Sequence, residues 1–409
     1  MKRLSILTLL LLAFLCSTAQ PEPVELPQYP FIRYQDNLLR YHAGSVPMKT
    51  FFQKWKRIIT TQQGNINIVH IGGSHVQAGT LSNTIRTNLL HAYPSFVAGR
   101  GMIFPYSAAA RCNNPRDYRV HCPQKVTLTR NIYKEHTYPL GLCGIAITAS
   151  DSLTEVQIAL NEPSIDYATN RVVIIGHSDA QVVPLLSFGG RKVYPSYEDR
   201  NTDRYVFNLG TTVDSFAILL PCGPGEQFTL TGIHLSNRHP GFSFHSIGVN
   251  GAAVPDYLRC KNLVRDLRML RPDMVVFGIG INDASNTDFD TAAFRANYLA
   301  LIDSIRTINP DCAFVFITNN DSYRRKRRNR YEVNRNGLLA REVFYRLADD
   351  TDGAIWDQFE VMGGLKSMEK WYKSKLAQKD RVHFTTAGYE LVGDLFTNAL
   401  FKAYSEYSK

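Results

Sequence analysis

A serine in a glycine-rich turn is the first residue whose surroundings suit chemistry. Residues 65–71 are mostly apolar and predict a buried strand, Gly72-Gly73-Ser74-His75 follows, and the leucine and isoleucine spacing at residues 80–92 predicts a helix. This order places the Ser74 hydroxyl at the carboxyl edge of a sheet, near helix N–H groups that favour negative charge. Ser74 is therefore a candidate nucleophile, and a helix-capping serine is the alternative interpretation.

A carboxylate and an imidazole occur together near the other end of the chain, in Asp380-Arg381-Val382-His383. A histidine that takes a serine proton needs a partner that fixes its tautomer and stabilises its charged form, and an aspartate can be that partner. Taken alone, such a pair is typical of a surface turn before a helix. Its significance comes from its combination with the serine turn.

Two further strand ends offer groups that can stabilise a developing oxyanion. The sequence GIGIND at residues 278–283 follows a predicted strand and offers the Asn282 side chain. The sequence IGVNGA at residues 247–252 ends another strand and offers the backbone N–H of Gly251, which has no Cβ to hinder approach. A dinucleotide-binding loop would need glycine where Asp283 stands, so nucleotide binding is not expected.

The elements around these segments alternate between strands and helices. After residue 241 we predict strands at residues 242–249, 274–277, 313–318 and 354–356, and helices at residues 257–270, 294–308, 337–347 and 386–404. This alternation predicts a flavodoxin-like three-layer α/β/α sandwich with a parallel sheet. Residues 112–240 instead contain short β-prone runs broken by Gly, Pro, Asn and Asp, which predict an inserted β-sandwich or jelly roll. The α/β domain then comprises residues 20–111 and 241–409.

Together the four segments resemble the four blocks of the SGNH (GDSL-like) hydrolase family, and the resemblance covers the α/β part of the chain. It implies that Ser74 is the nucleophile, His383 the general base and Asp380 its orienting partner. It also implies an oxyanion hole formed by the backbone N–H groups of Ser74 and Gly251 and the side chain of Asn282.

The neighbours of Ser74 add detail to the resemblance. His75 directly after the serine, together with the insert between the first two blocks, is similar to the subgroup of peptidoglycan O-acetylesterases and polysaccharide O-acetyltransferases. In that subgroup the insert resembles a carbohydrate-binding module. Gly73 stands where the family usually has an aspartate that helps to hold the nucleophile loop. The resemblance therefore implies a site that is looser, slower or retuned.

The N-terminus and the cysteines bear on localisation. Residues 1–3 are Met-Lys-Arg, residues 4–15 are almost wholly apolar, and small residues precede Gln20, which predicts a signal peptide at residues 1–19 and export to the periplasm or cell envelope. A lipoprotein anchored at Cys16 is the alternative, disfavoured by Leu15 before it. In an oxidising compartment, Cys112 and Cys122 are close enough in sequence for a local disulfide or remain thiols.

Charge suggests a second functional surface. The chain has a formal net charge of +10, and the sequence RRKRRNR occupies residues 324–330, on the rim where Ser74 is expected. Such a run is either a solvated loop or a surface that attracts an anionic glycan or peptidoglycan carboxylates. The predicted rim residues are His75, Arg324, Arg325, Arg327 and Arg328. We expect no metal, no cofactor and no specific nucleic-acid binding.

Three functions remain open from the sequence. The first is an exported serine esterase that removes O-acyl groups, in the first place O-acetyl, from a cell-envelope or other polysaccharide through an acyl-serine intermediate. The second is a polysaccharide or peptidoglycan O-acetyltransferase that works with a membrane-bound O-acyltransferase. The third is a carbohydrate-binding relative with little catalysis.

Overall fold

The computed structural model describes residues 20–97, 99–109, 112–136, 138–180, 182–326 and 330–409. The predicted signal peptide and the predicted rim residues Arg327 and Arg328 lie outside these ranges. The helices are α1 (Val46–Thr61), α2 (Ser74–Gln77), α3 (Thr80–Ala92), α4 (Val254–Leu258), α5 (Leu263–Leu270), α6 (Thr291–Arg306), α7 (Asn336–Asp350), α8 (Gln358–Val361), α9 (Ser367–Lys373) and α10 (Thr386–Ser408).

The strands divide between one sheet of the α/β part, the sheets of the β-rich region and a hairpin. In chain order they are β1 (Leu39–Tyr41), β2 (Asn65–Gly72), β3 (Gly101–Ile103), β4 (Tyr118–His121), β5 (Thr127–Arg130), β6 (Ile145–Ala149), β7 (Thr154–Leu160), β8 (Arg171–His177), β9 (Leu185–Phe188), β10 (Arg191–Val193), β11 (Tyr197–Asp199), β12 (Arg204–Asn208), β13 (Ser215–Leu220), β14 (Phe228–Ser236), β15 (Gly241–Gly248), β16 (Met274–Gly278), β17 (Ala313–Ile317), β18 (Tyr323–Arg325), β19 (Tyr331–Val333) and β20 (Ala354–Trp356).

A six-stranded sheet in the order β1-β20-β17-β16-β2-β15 forms the centre of the α/β part. Its strands run parallel except β1, which pairs antiparallel with β20. The last residue of β2, Gly72, lies opposite Gly278 of β16 and Gly248 of β15. The turns that follow these three strands therefore meet at one edge of the sheet, as the sequence predicted for a parallel arrangement.

Helices cover both faces of this sheet. On one face α1, α3 and α10 pack over the strands, and Trp55 stacks on Tyr404 with ring centroids 4.6 Å apart. On the other face α5, α6 and α7 pack, and Tyr298 contacts Phe277 at 5.3 Å and Phe344 at 5.6 Å. Such aromatic pairs contribute about 0.5–1.5 kcal/mol each beyond the area they bury. The predicted three-layer α/β/α sandwich is confirmed.

The β-rich region between β2 and β15 contains two antiparallel sheets, in the orders β10-β9-β13-β7-β4 and β11-β12-β8-β14-β6-β5. Apolar side chains of both, such as Ile218 of the first and Leu230 of the second, belong to the same hydrophobic core. The predicted additional all-β region is confirmed. Its start at residue 112 stays a prediction. Strand β3, which precedes residue 112, pairs with β14 of the second sheet.

A buried ion group joins this region to the α/β part. The Asp117 carboxylate accepts hydrogen bonds from Arg100 and from Arg86 of α3, and all three side chains are about 1% exposed. Burial alone would raise the pKa of Asp117, but the two guanidinium groups outweigh it and lower the pKa. Arg86 also donates to the carbonyl of Phe244 in β15. Because an unpaired buried charge is costly, removing one member of this group should loosen the junction.

The predicted helix at residues 257–270 is wrong in one respect, because it is divided into α4 and α5. Between them, the Asn262 backbone N–H donates to the carbonyl of Leu140 and its side chain donates to that of Pro139. Bonds to the β-rich region thus replace a continuous helix. Helix α1, which is capped by the Ser45 hydroxyl at the Met48 N–H, was not predicted.

The described cysteines are all free thiols, so no disulfide joins Cys112 to Cys122. Burial raises the pKa of both thiols, which makes them poor nucleophiles near neutral pH. Among the described helices, none combines the length and apolar character that crossing a bilayer requires.

Candidate active site

Ser74, His383 and Asp380 form one chain of hydrogen bonds. Ser74 Oγ lies 2.8 Å from His383 Nε2, and His383 Nδ1 lies 2.7 Å from Asp380 Oδ2. The other carboxylate oxygen accepts the backbone N–H groups of Val382 at 2.9 Å and His383 at 3.0 Å. Because an ionised carboxylate can only accept, Nδ1 carries the imidazole proton and Nε2 is left to accept from the serine hydroxyl.

Electrostatics favours the ionised form of Asp380. Partial burial alone would raise its pKa, but the hydrogen bonds from the His383 side chain and from the two backbone N–H groups outweigh burial and lower the pKa to about 2. The carboxylate is therefore charged at any pH at which the protein is expected to work. A charged Asp380 stabilises an imidazolium at His383.

The loop that carries these two residues lies between α9 and α10 and is held through Arg381. The Arg381 guanidinium lies over the ring of Tyr331 at 4.6 Å and that of Tyr372 at 4.3 Å, and its Nε donates to Glu369 at 2.6 Å. The Tyr323 N–H also donates to the Arg381 carbonyl at 3.1 Å. The hairpin formed by β18 and β19 therefore supports the loop, a role that the sequence did not indicate.

Asn282 and Gly251 face Ser74 from the ends of the two neighbouring strands. The Asn282 side-chain nitrogen donates one hydrogen to the carbonyl of Ala252 at 2.9 Å, which orients the amide and leaves its second hydrogen for another acceptor. Gly251 has φ +84°, a left-handed conformation that favours glycine. The structure thus brings together all five residues that the sequence assigned to catalysis and the oxyanion hole.

Gly73 leaves room beside Asn282. A Cβ at position 73 would lie 3.2 Å from the Asn282 side-chain nitrogen and 3.4 Å from the Ala252 carbonyl oxygen. The preceding turn is held without a carboxylate, since the Gly72 carbonyl accepts from the Tyr257 hydroxyl at 2.8 Å. The absent aspartate is therefore offset in part by contacts to the backbone of the turn.

The site opens into a cleft of about 440 Å³ that includes Ser74, Gly251, Asn282 and His383 in its lining. Its described lining residues include no Lys, Arg, Asp or Glu. Besides Asn282, four of its lining residues carry carboxamide side chains, namely Gln77, Asn113, Asn250 and Gln378. Amides both donate and accept hydrogen bonds, which suits a neutral, hydroxyl-rich ligand.

His75 is buried and does not lie on a rim, which corrects the prediction made for it. Its Nδ1 lies 2.9 Å from the Tyr389 hydroxyl, and its ring centroid lies 5.2 Å from that of His383. Burial, aided by the nearby imidazole, lowers the pKa of His75 to about 3, so it stays neutral. Together with His70 it lines a small cavity of about 30 Å³ behind the serine turn.

Of the arginines predicted to form a rim, the structure describes Arg324 and Arg325. The Arg324 side chain donates to the carbonyls of Ala284 at 3.0 Å and Asn286 at 2.9 Å, so it binds the protein's own loop after Asn282 and not an open surface. Arg325 is exposed on β18. Neither residue is in the lining of the cleft.

Residues 223–391 match the model of the GDSL-like lipase/acylhydrolase family, a segment that contains Gly251, Asn282, Asp380 and His383. No match was found among curated proteins. Among solved structures, a peptidoglycan O-acetylesterase is similar at a TM-score of 0.74, with 18% identity over 90% of this chain and 99% of its own. This likeness shows a common fold.

Other solved structures match over shorter stretches of the chain. An acetyl xylan esterase is 22% identical over 38% of this chain and 79% of its own, with a TM-score of 0.31. A GDSL-like lipase from Bacteroides thetaiotaomicron is 16% identical over 40% of this chain and 76% of its own, with a TM-score of 0.29. The match over residues 223–391 and the shared fold together support an esterase-type acyl hydrolase similar to the GDSL-like lipases and acylhydrolases.

Proposed function

We propose that this protein is an exported serine esterase that removes O-acyl groups, in the first place O-acetyl, from a cell-envelope polysaccharide. The observation that carries the proposal is the continuous chain of hydrogen bonds from Asp380 through His383 to Ser74, which lines a cleft. Such a chain activates a hydroxyl at neutral pH. A cleft whose described lining residues include no Lys, Arg, Asp or Glu suits a neutral ester.

In the proposed reaction Ser74 Oγ attacks the ester carbonyl while His383 Nε2 takes the hydroxyl proton. The carbonyl oxygen becomes negatively charged and accepts hydrogen bonds from the Ser74 and Gly251 N–H groups and the Asn282 amide. The carbon–oxygen bond to the sugar then breaks, and the leaving sugar oxygen receives the proton from His383. Water repeats the sequence on acyl-Ser74, giving the free acid and the free hydroxyl of the serine.

The choice of a polysaccharide rests on the cleft and on the fold. Carboxamides at Asn113, Asn250 and Gln378 line the same cleft as Ser74, and sugar hydroxyls are suitable partners for them. The peptidoglycan O-acetylesterase that shares the fold also covers the β-rich region of this chain. Export is supported by the basic and apolar pattern of residues 1–19.

The first experiment measures hydrolysis of p-nitrophenyl acetate by the purified protein beside Ser74→Ala, with intact-mass detection of an acetyl adduct. Turnover and an adduct that both require Ser74 support the proposal. Acetate release is then compared on O-acetylated peptidoglycan and on acetylated xylan. A folded protein with neither turnover nor adduct would refute the esterase, and release from xylan alone would refute the cell-envelope substrate.

A further inference from the structure

We infer that Arg130, which lies in the β-rich region, is a positioning residue for the oxyanion hole of the proposed esterase. Its guanidinium donates a hydrogen bond to the backbone carbonyl of Asn250, in the turn that follows β15. No sequence motif pointed to this residue. The inference rests on the proposed function and adds a group that acts through the backbone and not on the substrate itself.

Arg130 holds the peptide group that also carries the Gly251 N–H. The Asn250 carbonyl and the Gly251 N–H belong to the same peptide group, which is trans, so the two bonds are fixed in one plane and point in opposite directions. A guanidinium that binds the carbonyl from the outer side therefore directs the N–H to the opposite side. Gly251 lines the cleft that contains Ser74, and its N–H is the proposed oxyanion donor.

A second contact restrains the same turn. Gln77, three residues after the nucleophile, accepts the Asn250 N–H at 2.7 Å through Oε1 and donates to the Asn113 carbonyl at 3.1 Å. With Gln77 on the N–H of Asn250 and Arg130 on its carbonyl, both peptide groups that flank Asn250 are fixed. These two restraints matter because Gly251, as a glycine, does not restrict its own backbone dihedral angles.

Arg130 is itself held in place by its strand. It is the last residue of β5 and pairs with Ile145 of β6. The next residue, Asn131, donates its N–H to the Gly144 carbonyl at 2.8 Å and accepts from Arg259 at 2.8 Å. A side chain anchored on a paired strand transmits a fixed position to the turn, whereas one on a mobile loop would not.

The charge of Arg130 adds to its geometry. A hydrogen bond from a guanidinium to a carbonyl is stronger than a neutral one and polarises the peptide group, which makes the N–H at the other end a better donor. The guanidinium is partly buried. The β-rich region would thus contribute to the reaction as well as to any glycan binding.

The test compares Arg130→Met with Arg130→Lys and with Arg191→Met, a matched control on the exposed strand β10 of the same region. For p-nitrophenyl acetate we expect Arg130→Met to lower kcat about 10- to 100-fold while KM changes less than about twofold, since a misplaced donor affects the transition state most. Arg130→Lys should recover part of kcat, because an ammonium can still donate to the carbonyl. Arg191→Met should match the wild type.

A spectroscopic measurement separates positioning from general damage. The amide proton of Gly251 should shift downfield when the Ser74 hydroxyl displaces fluoride from diethyl phosphorofluoridate and becomes a phosphate ester, and this shift should shrink in Arg130→Met. If Arg130→Met does not fold, Arg130→Lys provides the same comparison. Wild-type kcat and an unchanged Gly251 shift in a folded Arg130 variant would overturn the inference while leaving the esterase intact. A wild-type protein without Ser74-dependent turnover would overturn the esterase, and the inference with it.

Discussion

Replacing Asp380 by asparagine tests how the carboxylate acts on His383. In the protein one carboxylate oxygen accepts two backbone N–H groups, those of Val382 and His383, and the other accepts the imidazole Nδ1–H. Asparagine has one acceptor oxygen and an NH₂ group in place of the other. If the oxygen turned towards the imidazole, two backbone donors would lose their acceptor. If it turned towards the backbone, the NH₂ group could donate to Nδ1 of the opposite tautomer and no hydrogen bond would be lost.

The magnitudes favour the second orientation. Each backbone N–H left without a partner costs about 1–3 kcal/mol. The His383 proton then lies on Nε2, which donates to Ser74 Oγ and cannot accept from it. In the serine-protease triad, a wrong tautomer of this kind lowers kcat about 10⁴-fold, equivalent to about 5.5 kcal/mol in the barrier. We expect a loss of about 10³- to 10⁴-fold in kcat for Asp380→Asn, with the thermal midpoint changed by only a few degrees.

The assay is steady-state hydrolysis of p-nitrophenyl acetate at pH 7, with thermal unfolding measured on the same samples. Asp380→Ala is the matched control, because it removes the acceptor for all three donors and should lower the thermal midpoint as well as kcat. A folded Asp380→Asn variant whose kcat lies within tenfold of the wild type would refute the tautomer argument.

The oxyanion donor, the serine turn, one buried carboxyl group and the basic run can each be tested separately. Asn282→Ala should lower kcat about 10²- to 10³-fold, with KM within a few-fold and residual turnover above that of Ser74→Ala; an equal loss in both variants would contradict a donor role. Gly73→Ala should lower kcat about tenfold, because its methyl group would lie 3.2 Å from the Asn282 nitrogen. The carboxylate of Gly73→Asp can accept a hydrogen bond from that amide, so this variant should keep a higher kcat than Gly73→Ala. A lower kcat in Gly73→Asp than in Gly73→Ala would exclude this explanation. Burial raises the pKa of Asp283 from 3.8 to about 6, so between these pH values the folded state keeps a proton that the unfolded state has lost. The free energy of unfolding should therefore fall between about pH 4 and 6, by at most about 3 kcal/mol. Urea unfolding of Asp283→Asn should lack this decrease. Serine at positions 325, 327, 328 and 330 should make retention on cell-wall material independent of salt, and unchanged salt dependence would exclude the arginine surface.

Much of the fold and of the site geometry could be predicted because the necessary signals are local. A buried strand followed by a glycine turn and a helix identifies the carboxyl edge of a parallel sheet, so Ser74, Gly251 and Asn282 could be placed together without a structure. Asp380 and His383 could be paired because they lie within four consecutive residues. The catalytic roles of these residues stay predictions until the variants are measured.

The errors and omissions concern side-chain direction and distant partners. His75 follows the nucleophile directly, but its side chain points inward to Tyr389, and a four-residue helix has too little periodicity to reveal this. Arg324 belongs to a basic run, yet it binds the carbonyls after Asn282, 40 residues away in the chain. Arg130 and Asn250 are 120 positions apart in the chain, one in the β-rich region and the other in the α/β part, so no local pattern can indicate their contact.

The position of β2 in the middle of the sheet has a consequence for the order of folding. Its two partners, β15 and β16, are synthesised only after the whole β-rich region, and Ser74 and His383 are 309 positions apart in the chain. Contacts of such high sequence separation form slowly, and until they form an apolar strand has both edges open to other chains. We therefore expect the nascent chain to depend on chaperones or rapid export, and C-terminal truncations before α10 to aggregate and not merely to lose activity.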